Sequence, residues 1–214
     1  MIDYKILSTG SKGNAVIINR YILVDCGVPF RTLCEAVNSL RIVLFTHRHS
    51  DHINLKTVAR LNSERPALRF ACAPWMIREL EAAGVPKKNI DTVNVGGMLR
   101  YGNGLKISPA ALKHNAPNCG WRIFLPSGEK IFYATDTCDL NGIDAKGYDL
   151  YMVEANYEEH EIEERIADKK LDGKYAYERD VLKNHMSLED CNNWLYQNMS
   201  SKSQYVYLHQ HEGR

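Results

Sequence analysis

The sequence predicts an α/β fold, and two observations lead to that prediction. Short runs of β-branched and aromatic residues, which are typical of buried strands, alternate along the chain with segments whose apolar residues recur at helical spacing. The 214 residues show no internal repeat and are enough to bury a large core. We therefore expect mixed β-sheets with helices outside them, an α/β sandwich that takes up residues 1–214 as one domain.

The first predicted elements are a β-hairpin, a helix and a strand. The hairpin joins residues 14–19 (NAVIIN) to residues 21–25 (YILVD). A helix is predicted over residues 29–40, because a proline stands near its start and its apolar residues share one face. The run RIVLFT at residues 41–46 then predicts a buried strand, since β-branched and aromatic side chains dominate it.

The rest of the chain continues the alternation. Strands are predicted at residues 68–73, 91–95, 105–108, 121–125, 131–134, 149–154 and 204–208. Helices are predicted at residues 74–83, 158–170, 177–184 and 188–197. This order is the one expected of sheets whose strands are covered by helices.

Charge and composition exclude several classes of protein. The chain has 27 basic and 26 acidic side chains and a formal net charge of +1, which gives no long-range attraction for polyanions. No apolar run reaches the ~20 residues of a membrane helix, and the first residues do not resemble a signal peptide. The six cysteines include no C-x-x-C pair and are expected to be reduced thiols. We therefore expect a cytoplasmic protein without a membrane segment.

The segment FTHRHSDHIN, residues 45–54, carries three histidines and an aspartate within six positions. If the strand extends through His47 and His49, their imidazoles point to the same side, because strand side chains alternate between faces. Asp51 is expected to cap the helix that follows, with His52 beside it. Neutral imidazoles and carboxylates are the ligands that suit zinc, manganese and iron. The segment therefore predicts a metal site, and we expect it to hold two ions.

Further candidate residues stand near the ends of other predicted strands and in loops. They are Asp25 after YILVD, His114 in LKHNAPNCGW, Asp136 in YATDT, His185 in NHMSLEDC and His209 in LHQHEGR. Each of them alone has an ordinary structural explanation. Together with the histidine-rich segment they supply the additional ligands that a two-ion site needs.

The candidate ligands divide into two sets that share one bridging carboxylate: His47, His49 and His114 for one ion, Asp51, His52 and His209 for the other, and Asp136 between them. Five imidazoles favour zinc. The two carboxylates would also hold manganese, and metal availability often decides between such ions. The sequence therefore predicts two divalent ions, zinc or manganese.

The stretches that carry this site resemble a known family. They are STGSKGNAVII, LVDCG, THRHSDHI, KHNAPNCGW, YATDT, EANY and NHMS. Their order resembles the metallo-β-lactamase fold superfamily, whose pattern is H-x-H-x-D-H followed by a later His, Asp and His. The resemblance covers nearly the whole chain and is closest to a small nuclease branch similar to bacterial double-strand DNA 5′→3′ exonucleases. It implies an αββα sandwich of two mixed β-sheets with outer helices, and metal ions at one edge.

Individual residues are assigned roles from this resemblance and from the expected site. In NHMS, His185 resembles a histidine that contacts the scissile phosphate in related RNA-processing enzymes, with metal ligation as the alternative. His209 is expected to be the last metal ligand, with His211 as its rival. Asp51 would orient the nucleophile while it binds metal, and Asp25 would hold a ligand histidine or the turn in place.

The expected activity is hydrolysis by a hydroxide that bridges two divalent ions. The first hypothesis is a nucleic-acid phosphodiesterase, an exonuclease-like enzyme that acts on DNA more than on RNA. The acidic stretch at residues 154–164 would repel nucleic acid if it lay near the cleft. The alternatives are a hydrolase of a small thioester, lactam or lactone, and a metal-binding module without catalysis.

Overall fold

Two mixed β-sheets lie at the centre of the structure, a computed structural model that describes residues 2–171, 175 and 177–210. The first sheet contains, in spatial order, β1 (Tyr4–Ser8), β2 (Ala15–Ile18), β3 (Ile22–Val24), β4 (Ile42–Leu44), β5 (Arg69–Cys72) and β6 (Ile90–Thr92). The strands β1, β2 and β3 are antiparallel, whereas β3, β4, β5 and β6 run parallel. The carboxyl ends of these parallel strands therefore share one edge of the sheet.

The second sheet repeats this division into an antiparallel and a parallel part. Its strands are β7 (Leu99–Arg100), β8 (Lys106–Leu112), β9 (Asn118–Phe124), β10 (Lys130–Ala134), β11 (Leu150–Glu154) and β12 (Gln204–Leu208), adjacent in that order. Strands β7 to β10 are antiparallel, and β10, β11 and β12 are parallel. The last three strands therefore also end at a common edge.

Helices cover the outer faces of the sheets. They are α1 (Leu55–Glu64), α2 (Ile77–Ala82), α3 (Glu159–Leu171), α4 (Glu178–Asn184) and α5 (Leu188–Asn198). Helices α1 and α2 bury Val58, Leu61 and Leu80 in an apolar cluster with the first sheet, and α5 buries Trp194 and Leu195 against the second sheet. In the part of the chain that the structure describes, no helix has the length and apolar character needed to span a bilayer.

The alternation of side chains along the strands divides the core into three apolar layers. In β3, Val24 faces the layer between the two sheets, and its neighbour Leu23 faces the layer beneath α1 and α2. In β10, Tyr133 faces the layer between the sheets, and Phe132 faces the layer beneath α5. Fully burying an apolar side chain of this size stabilises a fold by about 1.5–3 kcal/mol. The resulting αββα arrangement confirms the predicted fold class.

Most predicted elements agree with the structure. The predicted hairpin is confirmed as β2 and β3, which residues 19–21 join. The N–H of Tyr21 donates to the carbonyl oxygen of Ile18 at 3.3 Å and closes a β-turn, whose central residues Asn19 and Arg20 have φ values of 47° and 64°. The strand predicted at residues 204–208 coincides with β12. The helices predicted at residues 177–184 and 188–197 differ from α4 and α5 by one residue.

The helix predicted over residues 29–40 is wrong. Only Phe30–Thr32 forms a short 3₁₀ helix, and turns follow it. The N–H group of Leu33 bonds to the carbonyl oxygen three residues back, whereas the N–H group of Val37 bonds four residues back, so no regular helical ladder forms. Threonine, cysteine, asparagine and serine in this stretch favour helices less than alanine or leucine do. The apolar spacing still identified buried positions, because Leu33, Val37 and Leu40 all lie in the core.

The helix after the histidine-rich segment begins later than predicted, and Asp51 is not its N-cap. Asn54 caps α1, and its side-chain oxygen accepts a hydrogen bond of 3.1 Å from the backbone N–H of Thr57. A turn precedes this cap, in which the N–H groups of His52 and of the following residue donate to the carbonyl oxygen of His49 at 2.9 and 3.0 Å. The carboxylate of Asp51 is therefore not used to start the helix and lies beside His52 instead.

Candidate metal centre

Side chains from distant parts of the sequence meet where the parallel strands end. Asp25 directly follows β3, and His47 stands three residues after β4. Asp136 stands two residues after β10, Glu154 is the last residue of β11, and His209 directly follows β12. Ends of neighbouring parallel strands lie side by side, so residues far apart in the chain become neighbours. The parallel half of each sheet thus supplies one side of the site.

Three of these strand-end residues adopt a left-handed backbone conformation, Asp25 with a φ of 57° and two others. Asp136 has a φ of 57° and His209 a φ of 51°, which costs about 1–2 kcal/mol for a residue with a side chain. Amides from two other motifs hold these turns, since Asn118 Nδ2 donates to the Asp136 carbonyl oxygen at 2.6 Å and Asn156 Nδ2 donates to the His209 carbonyl oxygen at 2.7 Å. The N–H of His209 also donates to Thr9 Oγ1 at 2.8 Å. Strained turns supported in this way are typical of functional sites.

Three imidazoles converge in the set predicted for the first ion. His47 Nε2 lies 3.0 Å from His49 Nδ1, and His49 Nδ1 lies 3.3 Å from His114 Nε2. The other ring nitrogen of His114 donates to the carbonyl oxygen of Asn184 at 3.1 Å, which leaves its Nε2 unprotonated in the neutral ring. Zinc–nitrogen bonds of about 2.0–2.1 Å in a tetrahedral site place neighbouring ligand nitrogens about 3.3 Å apart. The spacing of these nitrogens therefore fits a metal ion.

The set predicted for the second ion gathers around Asp136. One carboxylate oxygen of Asp136 lies 2.9 Å from His52 Nε2, and the other lies 3.4 Å from His209 Nδ1 and 3.8 Å from His114 Nε2. Asp51 Oδ2 lies 3.5 Å from His52 Nε2. The Asp136 carboxylate thus stands between the two predicted sets, as a bridging ligand would. The assignment of these residues as ligands stays a prediction.

Charge and burial prepare the site for cations. Burial and the neighbouring His52 hold the pKa of His47 well below its usual value, so its imidazole is neutral, which is the form that binds metal. Burial opposes the charged form of Asp136, but His52 and His209 hold the pKa of that carboxyl well below its usual range. Burial likewise opposes the charged form of His52, yet Asp136 and Asp25 raise its pKa well above the usual value.

Asp25 lies where the sequence placed it, behind a predicted ligand. It is fully buried, and its Oδ2 accepts a hydrogen bond of 2.7 Å from His52 Nδ1. The backbone N–H of Thr46 donates to its other oxygen at 3.0 Å. A carboxylate that binds one nitrogen of an imidazole orients the second nitrogen toward a metal. The geometry therefore supports the predicted role of Asp25.

Two segments pack tightly against the turn that carries Asp51 and His52: the glycine-rich N-terminal loop that ends at Asn14, and the VDCG segment that contains Gly27. A Cβ atom on Gly27 would lie 1.7 Å from the carbonyl oxygen of Asp51, so only glycine fits there unless the turn moves. The backbone N–H of Asn14 donates to the same Asp51 carbonyl oxygen at 2.6 Å, and its side-chain Nδ2 lies 2.8 Å from His52 Nε2. The STGSKGN and VDCG motifs therefore fix the backbone of the second predicted set.

Glu154 is the main site residue that the sequence analysis missed. It was counted in the acidic stretch at residues 154–164 that would repel nucleic acid, but its side chain is fully buried within the site. Its Oε1 lies 2.5 Å from His185 Nδ1 and 3.2 Å from His209 Nδ1, and its Oε2 accepts the backbone N–H of Thr137 at 2.8 Å. Its position at the end of a predicted strand was the available signal, because Asp25, Asp136 and His209 share it.

His185 occupies a different environment from the clustered histidines. Its side chain is 19% exposed, and its Nδ1 is held by Glu154. Its Nδ1 also lies 4.0 Å from Asp136, so the predicted phosphate contact and the alternative of metal ligation are both compatible with the distances.

The predicted last ligand, His209, is influenced by two carboxylates. Burial opposes the charged form of His209, but the hydrogen bond with Glu154 and the negative charge of Asp136 raise the pKa of its imidazole. The rival ligand His211 lies outside the described residues.

Two cavities border the site, one lined in part by His185 and the other by His114. One has a volume of about 370 Å³ and is lined by Asn156, Tyr177, His185 and His209, among others. The other, of about 490 Å³, lies beside His114 and includes two lysines, Lys113 and Lys183. Helix α4 contributes residues to both.

Comparison with known proteins connects this arrangement to a family. The family model described as "Beta-lactamase superfamily domain" matches residues 20–209. Exodeoxyribonuclease YycJ of Bacillus anthracis is 23% identical to the chain over 171 residues, which cover 73% of this chain and 64% of that protein. The aligned part is therefore less than two thirds of that relative's length.

Solved structures agree with this match. The metallo-beta-lactamase fold protein YhfI from Bacillus subtilis has a TM-score of 0.74 and 14% identity, over 100% of this chain and 88% of that chain. A diphosphatase from the PhnP family has a TM-score of 0.65 and 15% identity, over 99% of this chain and 88% of that chain. At these identities, the likeness establishes a shared fold.

Proposed function

The chain belongs to the beta-lactamase superfamily, and we propose that it is a metal-dependent hydrolase that cleaves phosphodiester bonds in nucleic acid, DNA more than RNA. The observation that carries this proposal is His185, held by the buried Glu154 beside the predicted ligands. The sugar oxygen that leaves a phosphodiester needs a proton, whereas a thiolate leaves a thioester without one. Similarity to an exodeoxyribonuclease supports a phosphodiester substrate, and similarity to a diphosphatase supports hydrolysis at phosphorus more generally.

The clustered histidines and carboxylates support a centre of two divalent ions, which we propose for this chain. We assign to them the seven predicted ligands, namely His47, His49 and His114, then Asp51, His52 and His209, and Asp136 between the two sets. When bound, such ions acidify water toward a pKa of about 7 and polarise a phosphoryl oxygen. Neutral imidazoles favour zinc in these positions, and the carboxylates make manganese acceptable.

Asp51 and His185 carry the chemistry that the chain itself supplies. Asp51 is partly exposed and lies next to His52, so its carboxylate can bind metal and accept a hydrogen bond from the attacking water. His185 keeps Nδ1 on Glu154, which leaves Nε2 as the nitrogen that can give a proton to the leaving oxygen. Asp25 keeps His52 in its orientation from behind.

Two lysines beside His114 provide the positive charge that a nucleic-acid strand needs. Lys113 and Lys183 both line the cavity, and each has a carboxylate neighbour, Asp139 at 2.8 Å and Asp180 at 3.9 Å. The chain has a net charge of only +1, so attraction for phosphates depends on such local groups. A DNA substrate would place this activity in the cytoplasm.

We expect the protein, loaded with Mn²⁺ or Zn²⁺, to cleave 5′-labelled duplex DNA with an affinity that falls as salt rises. Two phosphate contacts give a slope of roughly −1.8 in log affinity against log salt concentration, or about a tenfold loss between 50 and 200 mM salt. Lys183→Ala should make the salt dependence less steep, reducing the magnitude of that slope by about 1. The measurement is KM for labelled DNA at several salt concentrations, with single-stranded DNA and RNA as parallel substrates.

Lys202→Ala is the matched control for this experiment. Lys202 is an exposed lysine in the turn before β12, at the end of that strand opposite to His209, and its loss should leave the salt slope unchanged. Turnover of a small thioester or lactone, with no cleavage of any nucleic acid, would contradict the proposed substrate. It would favour the small-molecule hydrolase instead.

A further inference from the structure

The hydroxyl group of Thr46 lies at the junction between the two predicted ligand sets. Thr46, Asp25 and His47 are all completely buried. Thr46 Oγ1 lies 3.0 and 3.1 Å from the two oxygens of Asp25 and 3.0 Å from His47 Nδ1. It also lies 3.3 Å from His52 Nδ1, whose shorter contact, at 2.7 Å, is with Asp25. No function assigned so far uses this side chain.

The hydrogen-bond capacity of a hydroxyl decides which group donates in each of these contacts. An ionised carboxylate can only accept, so the single hydroxyl proton of Thr46 goes to Asp25. The oxygen of Thr46 then accepts from His47, which places the imidazole proton of His47 on Nδ1. His47 Nε2, which faces His49 at 3.0 Å, is therefore the unprotonated nitrogen.

Asp25 thereby acts on both ligand sets. It accepts a hydrogen bond from His52 Nδ1 directly, at 2.7 Å, and it orients His47 through the Thr46 hydroxyl. His47 belongs to the set predicted for one ion and His52 to the set predicted for the other. The buried carboxylate of Asp25 thus orients one histidine of each set, His52 directly and His47 through the hydroxyl group of Thr46.

We propose that Thr46 is a positioning residue that fixes the tautomer and orientation of His47 and links the two ion positions through Asp25. This inference rests on the proposed two-ion centre and is independent of the substrate. The backbone of Thr46 is held separately, because its N–H donates to Asp25 and its carbonyl oxygen accepts from Trp75 Nε1 at 3.3 Å. A substitution that removes only the hydroxyl therefore leaves these backbone contacts in place.

The test compares Thr46→Val, which lacks the hydroxyl, with Thr46→Ser, which keeps it. Thr46→Val should bind one of two ions about 10–100-fold more weakly, the range found when a residue that orients a metal ligand is removed. Thr46→Ser should bind both ions as the wild-type protein does. Affinity is measured by competition with a chromogenic chelator, and Co²⁺ absorption spectra report whether the ligands around the weakened ion change.

Thr57→Val is the matched control, because it also removes one buried threonine hydroxyl bond. Thr57 Oγ1 donates to the Val28 carbonyl oxygen at 2.8 Å and contacts no histidine. Equal metal affinity in Thr46→Val and wild type would overturn the inference, and so would an equal loss in Thr57→Val. A wild-type protein that binds no ion would instead remove the proposed metal centre itself.

Discussion

Replacing Asp136 with alanine is expected to have the largest effect of any single substitution. Its two oxygens lie near His52 on one side and near His209 and His114 on the other, so it supports both predicted ion positions. We expect metal content to fall at both positions and hydrolysis to fall by far more than the roughly 10–100-fold typical of a residue that only orients a ligand. Metal analysis after reconstitution and turnover of labelled DNA measure the two effects.

Asp144→Ala is a suitable comparison for the Asp136 variant. Asp144 is an exposed aspartate in the same connection between β10 and β11. Its carboxylate accepts a hydrogen bond from the backbone N–H of Lys146. Its loss should leave metal content and turnover unchanged. An Asp136→Ala protein that still binds two ions with full affinity would refute the bridging role.

The second large effect concerns His185 and His209, whose alanine variants should fail in different ways. His185→Ala should keep both ions and lose turnover by roughly 10²–10⁴-fold, as expected for a missing general acid. His209→Ala should lose one ion, with activity partly restored by excess metal, because His209 is buried 3.4 Å from Asp136. Metal content and turnover must be measured on each variant. The opposite pattern would exchange the two assignments.

Glu154→Gln tests the support that these two histidines share. The carboxylate accepts hydrogen bonds on both sides, from the Thr137 N–H and from the two imidazoles, whereas an amide has one accepting oxygen and must fail on one side. We expect turnover to fall by about 10–100-fold without a large change in fold. Thermal unfolding together with turnover distinguishes this effect from a loss of structure, and unchanged turnover would remove Glu154 from the mechanism.

The sequence predicted the fold, and local patterns also marked most residues of the candidate site, which the structure brings close together. Runs of apolar residues marked the strands, and polar residues at their ends marked Asp25, Asp136 and His209. The helix start was misplaced because Asp51 and Asn54 can both cap a helix, and the choice depends on how the turn after His49 folds. Local propensity does not contain that information.

Glu154 and Thr46 were missed for a related reason. In sequence, Glu154 begins an acidic stretch, and its position at the end of a predicted strand does not by itself show that it is buried against His185 and His209. The role of Thr46 depends on Asp25, which is distant in sequence and becomes a neighbour only through the pairing of β3 with β4. Residues that support a ligand can be recognised only from contacts between elements of the fold, whereas candidate ligands can be recognised in the sequence because clustered histidines are unusual.

The most direct test of this account is the number of metal ions bound per chain. The protein should be stripped with a chelator, reconstituted with Zn²⁺ or Mn²⁺, and analysed for metal content, with positions located by anomalous scattering from crystals. We expect two ions, one beside His47, His49 and His114 and the other beside His52, with Asp136 between them. Saturation at a single ion, or ions located away from these residues, would contradict the proposed centre and the mechanism built on it.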